Sequence, residues 1–306
     1  MPTATSATVV NVRDAATVIL VRTINDDSWE LFLARRHRRQ SFMAGAFVFP
    51  GGQLEESDCQ PECSSLISQA DSLHPQDLLQ DKSLSPDRAR GFFIAAIRET
   101  FEEAGIILAG DNSGNFITFQ QKETLVRFAA HRRALSTGEI SFAEILRQEK
   151  ILLFPHALIP FSHWITPEGE KKRFDTRFFL AALPRGQETV SDNTELTEFL
   201  WATPQNALRM HFSREIILMP PTLKTVLELA QFATVERLFA AAKKRLLYPI
   251  LPQIFEQGVK LPHDPEYGLD GYRRPANPEE PCRIIAEDGV WQAAFYKDKK
   301  SCEKQG

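Results

Sequence analysis

Residues 98–105, RETFEEAG, constrain this chain more than any other stretch. The pattern over 91–104 predicts a helix, with Phe93, Ile97, Phe101 and Ala104 on one side and Gly105 placed as its C-terminal cap. Glu99, Glu102 and Glu103 stand at i, i+3 and i+4, so their carboxylates project together from the opposite side. Like charges at that spacing cost about 0.2–0.5 kcal/mol per pair, and the negative end of the helix dipole lies in the same last turn. A hard divalent cation such as Mg2+ or Mn2+ removes the conflict, because it takes carboxylate oxygens and shares them with substrate phosphates. A solvated acidic face satisfies the same pattern, and the helix alone leaves both readings open.

The segments around this helix predict a mixed α/β chain. Residues 15–22 and 29–34 are short and rich in β-branched, aromatic and leucine side chains, with turn chemistry between them, which predicts a hairpin. A further strand over 47–49 ends in Pro50-Gly51-Gly52, where the backbone turns sharply and no side chain blocks a close approach. Residues 59–88 are polar, broken by Pro61, Pro75 and Pro86, and read as an insertion holding at most a short helix or two. Helical spacing returns at 123–135 and 142–149, strands are expected at 159–165, 176–183 and 197–202, and a helix follows Pro204. One helical spacing runs through 222–247, ahead of a proline-rich tail.

With 43% apolar residues the chain can build a sizeable core, which excludes a disordered or disulfide-stapled protein. Thirty-six basic against 40 acidic residues exclude a general nucleic-acid or membrane-surface binder. No apolar run approaches the roughly 20 residues of a membrane span, and without a targeting segment the expected location is cytoplasmic. Cys59, Cys63, Cys282 and Cys302 form no CxxC pair and read as free thiols. The densest positive cluster, Arg35, Arg36, His37, Arg38 and Arg39, suits bidentate binding of phosphate, although a solvated strand end has the same composition. His156, His163 and Trp164 are expected to pack first, with substrate stacking second.

Taken together, Gly51-Gly52 and Arg98-Glu99-x-x-Glu102-Glu103-x-Gly105 resemble the signature of the Nudix hydrolase family, G-x5-E-x7-R-E-U-x-E-E-x-G-U with U apolar. Thr100 is a weak match at the first U, and Asp58 stands where the family has glutamate. Residues 59–97, 39 positions, separate Asp58 from Arg98 where the signature has seven, an insertion of about 32 that logarithmic loop-closure entropy tolerates if its ends stay close. This split box is similar to that of the acyl-coenzyme A diphosphatase branch, as are HWITP (163–167), RFDTRFFLA (173–181) and TEFLWATPQNAL (197–208).

The resemblance implies a Nudix-type α/β/α sandwich with a mixed sheet, an insertion within the box at about 59–89 and extra C-terminal helices. Residues 10–247 are expected to form the Nudix domain and 248–306 an extension packing on it. It implies Mg2+ or Mn2+ held by Glu99, Glu103 and Glu102 with the Gly52 carbonyl, Glu102 assisting catalysis and Arg98 orienting a glutamate. Glu195 is a candidate for an additional metal ligand or base, against an exposed strand position. Arg36, Arg38 and Arg39 are candidates for the substrate's phosphates. The expected reaction is hydrolysis of coenzyme A or acyl-coenzyme A to adenosine 3′,5′-bisphosphate and (acyl-)4′-phosphopantetheine. ADP-ribose, NADH, dinucleotides or nucleoside triphosphates are the competing substrates, and a non-catalytic ligand-binding module is the competing class.

Overall fold

The computed structural model describes residues 11–25, 28–37, 43–68, 74–190 and 196–296. The chain enters through β1 (Val12–Asn25) and β2 (Ser28–Arg36), then the short strands β3 (Phe47–Val48) and β4 (Gly51–Gln53). A 3-10 turn over Glu56–Cys59 and the one-turn helices α1 (Pro61–Ser64) and α2 (Pro75–Leu78) lead to the long helix α3 (Pro86–Ala104). After β5 (Ala109–Gly110) come α4 (Lys122–Ser136), α5 (Phe142–Glu149), β6 (Leu152–Leu153), β7 (Ile159–Ile165), β8 (Arg173–Ala182) and β9 (Leu196–Ala202). The last third holds α6 (Pro204–Phe212), α7 (Pro220–Leu229) and α8 (Val235–Ala242). It ends in β10 (Pro249–Ile250), β11 (Gln253–Phe255), β12 (Gly258–Lys260), β13 (Arg283–Glu287) and β14 (Val290–Ala294).

β1 organises the main sheet because its apolar residues alternate between two cores. Ala16, Val18 and Leu20 point to one, Ile19 and Val21 to the other, and all are fully buried. A strand covered on both faces reads as a nearly continuous apolar run, and AATVILV is one. Its second half pairs antiparallel with β2 from Val21↔Leu31, while Ala15, Ala16 and Thr17 pair with Gln53, Gly52 and Gly51 of β4. On its other edge β1 runs parallel to β8 from Val12↔Arg173 to Val21↔Ala182. The sheet order is β10-β7-β8-β1-β2-β3, with β9 also on β2, so parallel and antiparallel pairs are mixed. The core on one face takes in α3 and α5, and the core on the other takes in α7 and α8. The layering is that of an α/β/α sandwich, and no helix among the described residues is long and apolar enough to cross a membrane.

Three elements differ from the expectation. α3 starts at Pro86, five residues earlier, because Ser85 caps it by accepting from the Arg88 amide and Pro86 occupies the first turn, where its missing N–H costs nothing. The spacing over 222–247 folds as two helices, since Thr234 turns extended and accepts from the Arg237 amide, starting α8 afresh. Residues 253–294 form a four-stranded antiparallel sheet, β11-β12-β13-β14, where the sequence offered only prolines and aromatics. Its Val259, Leu261 and Ile284 join the same core as Phe178 and Leu180.

The polar segment after Asp58 returns compactly. Leu153 of β6 holds this segment by two backbone hydrogen bonds, accepting from Ser68 N (3.1 Å) and donating to Leu66 O (2.8 Å). Leu79 is buried in the core beside α3, and Asp81 pairs with the buried Arg177 of β8 at 2.8 Å.

Candidate active site

The glycines of β4 are required by contact. A Cβ on Gly51 would lie 2.2 Å from the Ala16 carbonyl oxygen, and one on Gly52 would lie 2.5 Å from the Glu99 carboxylate. The strand therefore sits flush against both β1 and α3. The Gly51 amide donates to Glu103 Oε2 at 2.7 Å, so the turn and the acidic helix meet directly. Glu103 is buried at 7% exposure.

Arg98 ties the two halves of the split box together. Its Nε and Nη2 donate to the two oxygens of Asp58 at 2.9 and 2.8 Å, Nη2 also to the Gln53 carbonyl at 2.9 Å, and Nη1 to Glu99 at 2.9 Å and Glu102 at 2.8 Å. Asp58 is 1% exposed and also accepts the Glu55 amide, so it is fully satisfied. The shorter side chain serves because the 3-10 turn carries the Asp58 backbone close to the guanidinium. Thr100, the weak match at an apolar position, is 0% exposed and donates its hydroxyl back to the Ala96 carbonyl at 2.7 Å, which lets it behave as a buried residue.

Burial sets the electrostatics. It raises Glu99 to about 7, with Arg98 opposing and Glu102 adding to the rise. Burial also raises Glu102, again against Arg98. Desolvation alone would lower Arg98, but Asp58 and the two glutamates more than reverse it and hold the guanidinium charged.

The expected conflict at the end of the acidic helix has a second remedy that the sequence did not disclose. Arg132 of α4 is buried and donates Nε to the Glu102 carbonyl at 2.6 Å, Nη2 to the Glu103 carbonyl at 2.7 Å and Nη1 to the Val190 carbonyl. A fixed cation thus covers the negative end of the α3 dipole. Nothing in the local pattern of α4 marks Arg132, because its partners lie about 30 positions away.

The glycine turn and the acidic face of α3 line a cleft of about 1720 Å³. Gly51, Gly52, Arg98, Glu99, Glu102 and Glu103 line it together with Arg36, Trp164, Phe174 and Phe178, and with Ile254 and Phe255 of the small sheet. Of the basic cluster, Arg36 reaches the cleft and Arg35 pairs with Glu198 at 3.1 Å. Arg38, Arg39 and Glu195 lie outside the described residues. His163 is buried and is not among the residues that line the cleft; it stands 2.6 Å from Asp175 through Nε2 and accepts from Arg177 at 2.7 Å through Nδ1. His156 stacks on Phe154 at 5.2 Å. Trp164 packs in the same core as Phe178 and also lines the cleft.

The donor set fits a hard cation by chemistry, with three carboxylates and a glycine backbone in one cleft. Their side chains are turned to Arg98 and the Gly51 amide, and no three His, Cys, Asp or Glu residues among those described stand as a ready-made ligand group.

Residues 76–229 match the family described as NUDT19 Nudix domain. The chain is 31% identical over 283 residues to acyl-coenzyme A diphosphatase NUDT19 of Xenopus laevis, covering 80% of this chain and 73% of that protein. It is 29% identical over 248 residues to the protein of the same name from Gallus gallus, covering 72% of this chain and 66% of that one. In fold it is similar to the crystal structure of a NUDIX hydrolase from Alicyclobacillus acidocaldarius, with a TM-score of 0.60 and 22% identity, covering 76% of this chain and 98% of that one. With half of its length matched to the domain and most of it aligned with those relatives, the chain belongs to the NUDT19 Nudix family.

Proposed function

We propose that this protein hydrolyses the diphosphate of coenzyme A and acyl-coenzyme A, releasing adenosine 3′,5′-bisphosphate and (acyl-)4′-phosphopantetheine. The observation that carries the reading is the junction of the Gly51-Gly52 turn with Glu99 and Glu103, locked by Arg98 across the insertion. The names of the relatives, acyl-coenzyme A diphosphatases, support the substrate class.

The residues divide the work as follows. Glu99, Glu102 and Glu103, with the Gly52 carbonyl, would hold a divalent cation, Mg2+ or Mn2+, whose charge would neutralise phosphoryl oxygens. Arg98 keeps the Glu99 and Glu102 carboxylates at fixed angles through one nitrogen, Nη1. One of these two carboxylates takes the proton of the attacking water, a role open to a carboxylate that lines the cleft and is oriented by Arg98. Glu195 serves as an additional ligand or base. Arg36 at the cleft, with Arg38 and Arg39 beside it in sequence, meets the phosphates of the ADP half by charge and bidentate hydrogen bonds.

The test is a substrate panel of coenzyme A, ADP-ribose, NADH, diadenosine polyphosphates and dNTPs, each with Mg2+ and with Mn2+, with products identified by mass. Adenosine 3′,5′-bisphosphate from coenzyme A as the preferred reaction is expected. A preference for ADP-ribose would overturn the assignment.

A further inference from the structure

The small sheet at the end of the chain presents one apolar row across its strands. Ile254 of β11 faces Val259 of β12, and Val259 faces Ile284 of β13. Exposure along that row is graded, at 0% for Ile284, 9% for Val259 and 50% for Ile254. Its inner end is sealed in the core with Phe178 and Trp164, and its outer end opens into the cleft, which Val259 and Ile254 both line. An aliphatic group laid over this half-exposed edge side chain would remove apolar surface of both partners from water, which favours its binding there.

The cleft has more room than a nucleotide requires. Its volume of about 1720 Å³ exceeds the roughly 300–1,000 Å³ of ordinary small-molecule sites. It also joins two chemistries. The carboxylates belong to α3, which packs on one face of the main sheet, while Ile254 and Val259 belong to the small sheet on the other face. Trp164, Phe174 and Phe178 of β7 and β8 line the same cleft. The small sheet lies beyond residue 229, where the family match ends.

We propose that the row led by Ile254 is the wall against which the acyl chain of the substrate lies, making Ile254 a specificity-determining residue. This rests on the acyl-coenzyme A reading given above. The occupant is an unbranched aliphatic chain tethered to the phosphates, because the wall is continuous with the cleft that holds the carboxylates. Free coenzyme A leaves the row in contact with water, so the wall favours longer acyl chains through binding.

The experiment compares kcat and KM for coenzyme A, butanoyl-coenzyme A and dodecanoyl-coenzyme A in the full-length wild type, Ile254→Ser and Ile254→Leu. In the wild type kcat/KM rises with chain length. In Ile254→Ser the dodecanoyl-to-coenzyme A selectivity falls about tenfold, carried by KM, as expected for loss of several apolar carbons from a hydrophobic site. Ile254→Leu restores it. A selectivity unchanged in Ile254→Ser, or a loss equal for all three substrates, overturns the wall while leaving the hydrolase reading intact. Wild-type protein inert on all three removes the hydrolase reading and the wall with it. A thermal melt of each variant separates selectivity from folding, and the half-exposed position predicts little change in stability.

Discussion

Every nitrogen of the Arg98 guanidinium is engaged, and its partners come from both sides of the insertion. That makes the ion pair with Asp58 a closure for the box as well as an orienting contact for two glutamates. Asp58 is 1% exposed, so its carboxylate is packed as well as paired. Restoring the family's glutamate is therefore expected to harm this chain. Asp58→Glu adds a methylene where there is no room and lowers stability by about 1–3 kcal/mol, read as a shift in the urea midpoint. A neutral or stabilising Asp58→Glu would show that the short side chain is incidental. The sequence revealed the replacement but not its reason, because the 3-10 turn that brings Asp58 to Arg98 has no periodic signature.

At the scale of elements, the two glycines of β4 separate strain from function. The nearest atoms to a Cβ on Gly51 are backbone, the Ala16 carbonyl and the Thr17 Cα, whereas those nearest a Cβ on Gly52 are the carboxyl end of the Glu99 side chain. Gly51→Ala is expected to disrupt the β1–β4 pairing and lower the melting temperature clearly. Gly52→Ala is expected to displace Glu99, lowering kcat by about 100-fold or more with a smaller thermal shift. Equal thermal losses for both would contradict that division. α3 was legible because its periodicity, its Gly105 cap and its acidic cluster are all local. The break between α7 and α8 was not, because apolar spacing continues across it and Thr234 is read as a cap only once the chain is seen to turn there. The strands of the small sheet escaped for a related reason. They are three to five residues long, too short for alternation to stand out among prolines.

For the whole molecule, the tail contributes to the cleft as well as to the fold, and a buried ion pair between Asp264 and Arg283 ties two of its own segments together. Asp264 is fully buried and accepts two hydrogen bonds from Arg283, at 2.6 and 3.2 Å, and one from the Glu266 amide at 2.8 Å. Burial pushes its carboxyl up, but Arg283 and the amide outweigh it and hold it below the usual carboxylate value. A carboxylate depressed in the folded state contributes stability at pH values above its unfolded range, and that contribution is lost as the pH falls through the folded value. The tail sheet is expected to loosen first in acid, below about pH 4, seen as a fall in the protection factors of the amides at residues 283–294, each exchange rate being divided by its intrinsic rate at that pH. Asp264→Asn should already show those lower protection factors at pH 7 and little further loss of protection on acidification. Wild-type protection factors that do not change with acid would exclude this role for Asp264.

The account as a whole depends on the acidic helix doing chemistry rather than facing solvent, and Glu103 tests this most directly. Glutamine keeps an oxygen to accept the Gly51 amide but loses the charge. Steady-state hydrolysis of coenzyme A with Mg2+ or Mn2+, measured for wild type and Glu103→Gln beside their thermal melts, should show turnover falling by about 10³-fold with the fold retained. A Glu103→Gln protein that is folded and hydrolyses coenzyme A at the wild-type rate would contradict it.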